Sequence, residues 1–422
     1  MTSPKTVSEK ILSTKAGRDA RAGDVVICNV DLVLGTDASS PMAIDYFEQM
    51  GGQRLFDPAR VLFSFDHYSP PTTDKTRGFH SRVRAFVARL GGTILEVGEG
   101  ISFQVAVERG LATPGDLVVG ADSHTVTCGA LNVFATGVGS SDLAAAMLTG
   151  QVWLRVPETI LVRLVGHRPP GLAAKDAALA LVAEVGAEGA NYQAIEFGGP
   201  ALGQLSLEDR LVFSNLAVEM GAKAAIFPCD ETANDYLAGR AIRRGTPVRA
   251  DVGAVYSREV ALDLSALSPR VALPHAPDKV VPIADAAGTP IQMVFIGTCT
   301  GGRVPDLHEA LDVLRRGGSR LAPGVQLVVT PASREVERRL TDDGTLAELV
   351  SIGATVTTPG CGACCGTSGV IPKEGASVLS TANRNFKARM GPASVSIYLA
   401  SPAACAAAAL SGRISDPRAA VV

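Results

Sequence analysis

Strand signals alternating with helix signals along most of the chain predict an α/β protein with largely parallel sheets. Three observations carry this. Short Val-, Ile- and Phe-rich runs precede amphipathic stretches of helical period. Alanine and glycine are abundant while aromatics make up only 5% of residues, the balance expected of Ala-rich helices packed closely on sheets. Polar residues follow directly after the apolar runs, and in parallel sheets ligands gather beyond the carboxyl ends of the strands.

In chain order, "VSEKILSTKAG", residues 7–17, reads as an opening helix closed by Gly17. "GDVVICNVDLVL" alternates and branches like a strand. "PMAIDYFEQMGG" is a helix with Pro near its start and Gly after its end. "RVLFSFDH" is a short strand that delivers Asp66 and His67, "RGFHSRVRAFVARLGG" is an amphipathic helix, and "DLVVGADSHT" is a strand that delivers Asp122, Ser123 and His124. "QMVFIGTCTGGR" is a buried strand and a glycine turn carrying Cys299, followed by the helix "PDLHEALDVLRRGG". In the closing helix "SPAACAAAALSG", Ser401 can cap, Pro402 suits the first turn and Gly412 can end it. Breaks near 157 and across the Pro-rich stretch 268–282 divide the chain into α/β domains 1–156, 157–276 and 277–422.

Composition excludes several classes. A chain of 422 residues is too long for one compact core. With 46% apolar residues, 19% charged residues and a net charge of −3, it lacks the basic footprint of a nucleic-acid binder. No apolar run approaches the roughly 18 residues of a membrane span, and the polar N-terminus does not read as a secretory signal. The expected compartment is the cytoplasm, where closely spaced cysteines point to metal or catalysis rather than to disulfides. Cys28, Cys128, Cys229 and Cys405 stand singly in apolar or small-residue settings and read as buried thiols.

"TPGCGACCGTSG", residues 358–369, holds Cys361, Cys364 and Cys365 among glycines, and "GTCTGG" puts Cys299 in a similar turn. Backbone amides in such turns can point at a ligand, and Fe–S clusters use thiolates tuned by nearby N–H donors. A zinc ribbon would need two Cys-x-x-Cys pairs and a Cys₂His₂ site a nearby His pair; neither is present. Three thiolates without an evident fourth leave one metal position open, as a Lewis-acid catalyst requires. Adjacent residues rarely both point into one cluster, so Cys365 reads as a neighbour.

"GADSHTVTCGALNVFATGVGSSDLAAAM", "IGTCTGGR", "PGCGACCG" and "STANRNFKARMG", in this order and spacing, resemble the aconitase superfamily, in the branch of large subunits of 3-isopropylmalate dehydratase and homoaconitase type. The likeness runs from "VSEKILSTKAGR" to "SPAACAAAALSGRISDP". It implies three α/β domains around a [4Fe–4S] cluster with one open iron, with Cys299, Cys361 and Cys364 as ligands. It implies a hydro-lyase or isomerase that removes water from a malate-type hydroxy di- or tricarboxylic acid and can add it back with the opposite regiochemistry. Asp66 and His67 match a proton-handling pair. Asp122 and His124 match an acid and a His beside the cluster. Asn215 matches a cluster-side amide and Glu219 the carboxylate that orients the second His. Asn383, Arg384 and Arg389 match groups near the cluster and the substrate carboxylates, and Ser123 and Thr36 fall on the substrate side. Taken singly, these residues have ordinary readings: a surface Asp–His pair, one helix face for Asn215 and Glu219, solvated arginines.

Three positions depart from the family pattern. Thr36 stands where relatives place His or Gln, Phe103 where they carry His, and Gly301 where Asn follows Cys-Thr. The expected consequence is a drier pocket that prefers malates with small or apolar substituents over tricarboxylates. The implied partner is a small swivel-domain subunit, which carries the family's serine base; this chain stops where large subunits stop. The rival readings are a homoaconitase or an alkylmalate or dimethylmalate dehydratase of another pathway, a non-catalytic Fe–S sensing subunit, and a cluster-free regulatory subunit.

Overall fold

The structure, a computed structural model, describes residues 3–419. Three sheets carry the fold. The first is parallel throughout, in the order Thr93–Leu95, Val61–Ser64, Leu32–Thr36, Leu117–Gly120, Phe134–Gly137. The second is also parallel, in the order Ala224–Ile226, Ala194–Gly198, Thr159–Val165, Arg258–Asp263. The third runs Val280–Pro282, Arg270–Ala272, Ser396–Ala400, Ser377–Ser380, Met293–Gly297, Gln326–Thr330, Thr355–Val356, and only its first two joins are antiparallel. Leu32–Thr36 and Met293–Gly297 are buried along their whole length, as parallel strands covered on both faces must be. The chain thus adopts the predicted α/β class.

"GDVVICNVDLVL" forms two strands rather than one. Val25–Asn29 pairs antiparallel with Gln151–Arg155 and alternates exposed and buried side chains, whereas Leu32–Thr36 enters the first sheet. Asp31 lies at the break: its carboxylate accepts from the Leu117 amide at 2.7 Å and meets Lys15 Nζ at 2.6 Å. In the Pro-rich stretch, Arg270–Ala272 already belongs to the third sheet.

Helix ends follow local chemistry. Thr6 and Glu9 close a capping box on Val7–Ala16, and Gly17, at φ 66°, ends it. Ser401 accepts from the Ala404 amide, and Gly412 at φ 71° ends Pro402–Ser411. Among the described residues no helix is long and apolar enough to cross a membrane. One apolar cluster, including Leu95, Phe103, Leu131, Leu207 and Cys299, joins the first sheet to the turn after Met293–Gly297. The loops beyond the carboxyl ends of strands in the first and third sheets meet there.

Candidate active site

Asp66 and His67 leave the strand Val61–Ser64. Asp66 is fully buried, and its Oδ1 lies 2.7 Å from His67 Nδ1 while its Oδ2 accepts from the Ser102 amide at 2.9 Å. The Asp66 carbonyl accepts from the Cys361 amide at 2.9 Å, which ties the cysteine loop to this strand end. That approach needs Gly360: at φ 148°, a Cβ there would lie 2.8 Å from the Asp66 carbonyl oxygen. Burial pushes the Asp66 carboxyl up, and His67 opposes it. Burial disfavours the His67 cation, but the charges of Cys361 and Asp66 and the hydrogen bonds to both hold its pKa well above the usual range.

Asp122 follows Leu117–Gly120 and caps the segment Ser123–Leu131, accepting from the His124 amide at 2.8 Å. Its Oδ2 is 3.7 Å from His67 Nε2, so the two strand ends face each other. Burial would raise the Asp122 carboxyl, yet hydrogen bonds from His124 and the charges of His124 and His67 hold it well below the carboxylate range. His124 Nε2 lies 2.9 Å from Glu219 Oε1. Arg384 Nε donates to Glu219 Oε2 at 3.0 Å, and its NH2 donates to Ser123 Oγ at 3.0 Å. Burial raises the Glu219 carboxyl, but His124 and Arg384 together lower it.

The thiols converge from two glycine turns. Thr298, just before Cys299, has φ 67°, a strained conformation for a β-branched residue. Asn215 Nδ2 and Asn383 Nδ2 both donate to Cys299 Sγ, at 3.2 and 3.3 Å, and Asn383 Nδ2 also donates to Asn215 Oδ1 at 3.2 Å. The Cys364 thiol points at Asn383 Oδ1, 3.6 Å away, and Arg389 NH2 is 3.9 Å from Cys364 Sγ. Cys361 Sγ is 3.9 Å from His67 Nδ1. Cys365 turns elsewhere, its sulfur 2.7 Å from Thr367 Oγ1. Burial raises the Cys299 thiol to about 12. Two carboxamide N–H donors on one sulfur suit a thiolate ligand, so Cys299, Cys361 and Cys364 form a donor set that fits an Fe–S cluster. Asp66, His67 and Cys361 also place ligand atoms within 4.8 Å of one another. Asp66 is already committed on both oxygens, which suits a proton relay better than a separate ion site.

Every candidate site residue read from the sequence takes part in these contacts except Thr36. Thr36 is 1% exposed, with its hydroxyl 3.0 Å from Ser39 Oγ. The Phe103 ring is buried in the apolar cluster that includes Cys299. It has almost no free surface, and Cys361 packs against the same cluster. Gly301 is required by its neighbour, because any Cβ there would collide with the Thr381 side chain.

Sequence reasoning missed three supporting residues. Asp37 accepts from the His67 and Tyr68 amides at 3.0 and 2.9 Å and meets His80 Nε2 at 2.9 Å. Asp37 follows a strand end, the same signal that picked out Asp66. Thr381 Oγ1 accepts from the Gly297 amide at 2.8 Å, and its carbonyl accepts from Thr300 Oγ1 at 2.7 Å. Lys175, an isolated lysine in the apolar run "LAAKDAALALVAEV", is buried behind the same strand end. The four singly placed cysteines are all buried, as expected.

The sequence profile of the aconitase family (aconitate hydratase) matches residues 9–412. The chain is 45% identical to the 3-isopropylmalate dehydratase large subunit 1 of Methanopyrus kandleri, over 98% of this chain and 99% of that one. It is 42% identical to the large subunit 1 of the same name from Thermotoga maritima, over 98% and 99%. It is also 42% identical to the probable methanogen homoaconitase large subunit of Methanosarcina mazei, over 93% and 100%. Among solved structures, the holo-form of aconitase X from Thermococcus kodakaraensis shares the fold, with a TM-score of 0.51 at 14% identity, over 90% of this chain and 89% of that one. The chain belongs to the aconitase family.

Proposed function

We propose that this chain is the cluster-bearing large subunit of a hydro-lyase that dehydrates and rehydrates a malate-type hydroxy acid, in the manner of 3-isopropylmalate dehydratase. The observation that carries the reading is the pairing of two His–carboxylate units, Asp66–His67 and His124–Glu219, across one cleft beside three converging thiols. When bound by Cys299, Cys361 and Cys364, a [4Fe–4S] cluster with one open iron supplies a Lewis acid for the hydroxyl that leaves.

The chain's own residues handle protons and position. Asp66 fixes His67 through Nδ1 and leaves Nε2 facing the cleft. A histidine held protonated near neutral pH suits donation from Nε2 to a departing hydroxyl. Asp122, held ionised, faces that nitrogen and keeps the imidazole oriented. Glu219 fixes His124 through Nε2, and Arg384 holds Glu219 while it meets Ser123. Arg389, with Arg384, supplies positive charge for substrate carboxylates.

The three sheets support a division into three domains, with the third beginning before Arg270. The "large subunit" names of the relatives support a small partner subunit, which we take to carry the swivel domain, and an air-sensitive open site suits the cytoplasm. The homoaconitase relative at 42% identity favours a second reading, a tricarboxylate substrate. To test the proposal, the chain is reconstituted anaerobically with iron and sulfide, alone and with a small swivel-domain subunit. 3-Isopropylmalate and homocitrate are then assayed. Activity should need both subunits and favour 3-isopropylmalate. Normal turnover by the isolated chain would overturn the two-subunit assignment.

A further inference from the structure

Lys175 is the second residue of the helix Ala174–Val185, and it is 2% exposed. A buried ammonium is costly unless a negative charge compensates it. Its place in the first helical turn adds to the cost, since the positive end of the helix dipole lies there. Nζ donates to two backbone carbonyls, of Thr381 at 3.0 Å and Ala382 at 2.9 Å. Carbonyl dipoles solvate the ammonium but do not neutralise it. Among the described residues no carboxylate lies within salt-bridge distance of Nζ. The acidic groups whose charge acts on it are Cys299 and Cys364 first, then Cys405 and Asp306. Asp306 already caps its own helix by accepting from the Arg303 amide at 3.0 Å. With nothing else to balance it, burial pulls the lysine down to about 8, the thiols opposing.

The two carbonyls belong to the strand end that places Asn383. Asn383 Nδ2 in turn donates to Cys299 Sγ, and Asn383 Oδ1 accepts from the Cys364 thiol. Lys175 therefore reaches the thiol set in two ways: through its charge, and through a strand end it holds in place.

We infer that Lys175 is the buried counter-cation of the Fe–S cluster held by Cys299, Cys361 and Cys364, so that cluster and ammonium neutralise each other. The inference rests on the cluster reading proposed above. Two consequences follow. A fixed positive charge makes the cluster easier to reduce, so removing it lowers the reduction potential. In the cluster-free chain the ammonium is uncompensated, so an uncharged residue there stabilises the cluster-free form and narrows the stability gap between the two forms.

The test uses the full chain reconstituted anaerobically, as wild type, Lys175→Met, Lys175→Gln and Lys175→Arg. Lys175→Gln keeps a donor for the carbonyls without the charge, and Lys175→Arg keeps the charge. Iron and sulfide content, the cluster's reduction potential, the rate of iron loss to a chelator and Tm with and without cluster are measured. The expected result is a lower potential in the Met and Gln variants and not in Arg. Iron loss should be faster, with metal affinity down by about 10- to 100-fold as for other residues that support metal ligands. The rise in Tm on reconstitution should shrink in Met and Gln relative to wild type. A normal cluster with an unchanged potential in all variants would overturn the inference alone, and would leave Lys175 as a prop for two carbonyls. If the wild-type chain takes up no iron and sulfide, the functional proposal falls together with it. If neither uncharged variant folds, wild-type protein with the same Tm with and without cluster overturns the inference, because the charge is then tolerated unaided.

Discussion

Arg384 Nε donates to Glu219 Oε2 at 3.0 Å, while the other oxygen of Glu219 lies 2.9 Å from His124 Nε2. One guanidinium thus holds the carboxylate that holds the histidine. Arg384→Met should leave the Glu219 charge buried with a single partner. A charged hydrogen bond of this kind is worth about 2 kcal/mol, so the denaturant midpoint should fall accordingly, and kcat should fall with it. Arg384→Lys should recover little, because the fork that reaches both Glu219 and Ser123 is lost. An arginine that only bound substrate would instead raise KM and leave stability unchanged.

Cys299, Cys361 and Cys364 should each be essential for cluster retention, and Cys365 dispensable. Cys365 already has a partner in Thr367, and Thr367 donates to the His67 carbonyl at 2.8 Å. Each cysteine is replaced by Ser, and iron content and visible absorbance are read after anaerobic reconstitution. Loss with Cys365→Ser and retention with Cys364→Ser would reverse the assignment. Asn383→Ala should keep the cluster but weaken its hold by about 10- to 100-fold, since one carboxamide serves both Cys299 and Cys364.

Phe103→His should not redirect substrate preference. The ring lies in the apolar cluster that includes Cys299, and the Cys128 thiol points at the Phe103 carbonyl 3.9 Å away. A buried imidazole without a partner, combined with lost apolar volume, should cost about 3 kcal/mol. Thermal melts should show this drop, while the ratio of kcat/KM for 3-isopropylmalate over homocitrate in the complex stays near its wild-type value. A clear shift of that ratio towards homocitrate at unchanged Tm would return Phe103 to the pocket.

Phe103 also marks the limit of what the sequence made legible. Strand-end placement was readable because apolar runs stop where polar residues start, so Asp66, His67, Asp122 and Cys299 were all found. The direction of a side chain was not. Phe103 occupies a polar position of the family pattern, but it is buried on a short helix whose next residue, Gln104, is buried too and accepts from Arg303 Nε at 2.9 Å, so packing alone decides which side chain meets which partner. Gly301 looked like a lost amide, yet Thr381, eighty residues on in the chain, leaves no room for any side chain there. Lys175 was not singled out because the carbonyls that hold it come from Thr381 and Ala382, far away in sequence. The single-strand reading of "GDVVICNVDLVL" failed for a similar reason: Asp31 binds the Leu117 amide, a partner the local pattern does not reveal.

Stability should depend on pH through Glu196 of the second sheet. Its side chain is 4% exposed; Oε1 accepts from the Ser8 amide at 3.1 Å and Oε2 from the Tyr256 hydroxyl at 3.2 Å. It therefore fastens the start of the helix Val7–Ala16 to the second sheet. Burial raises its pKa to about 7 from an ordinary value of 4.5, with the hydrogen bonds opposing. The folded state then binds more protons than the unfolded state between these values, so stability falls as pH rises through the window. The contribution is fully present below 4.5 and is lost as pH passes about 7. At about 1.4 kcal/mol per pH unit, the gap corresponds to about 3 kcal/mol. Asp176, raised to about 7 by burial, acts in the same direction, so the wild-type slope alone does not isolate Glu196. The difference between Glu196→Gln and wild type does. Glutamine keeps an acceptor for Ser8 and a group for Tyr256 but never ionises. Tm of the variant minus Tm of the wild type should be small near pH 4.5, grow in the variant's favour through pH 6 and level off above pH 8. A difference that stays flat from pH 4.5 to 8 would mean that Glu196 is ionised throughout in the folded chain, and that Ser8 and Tyr256 compensate its burial.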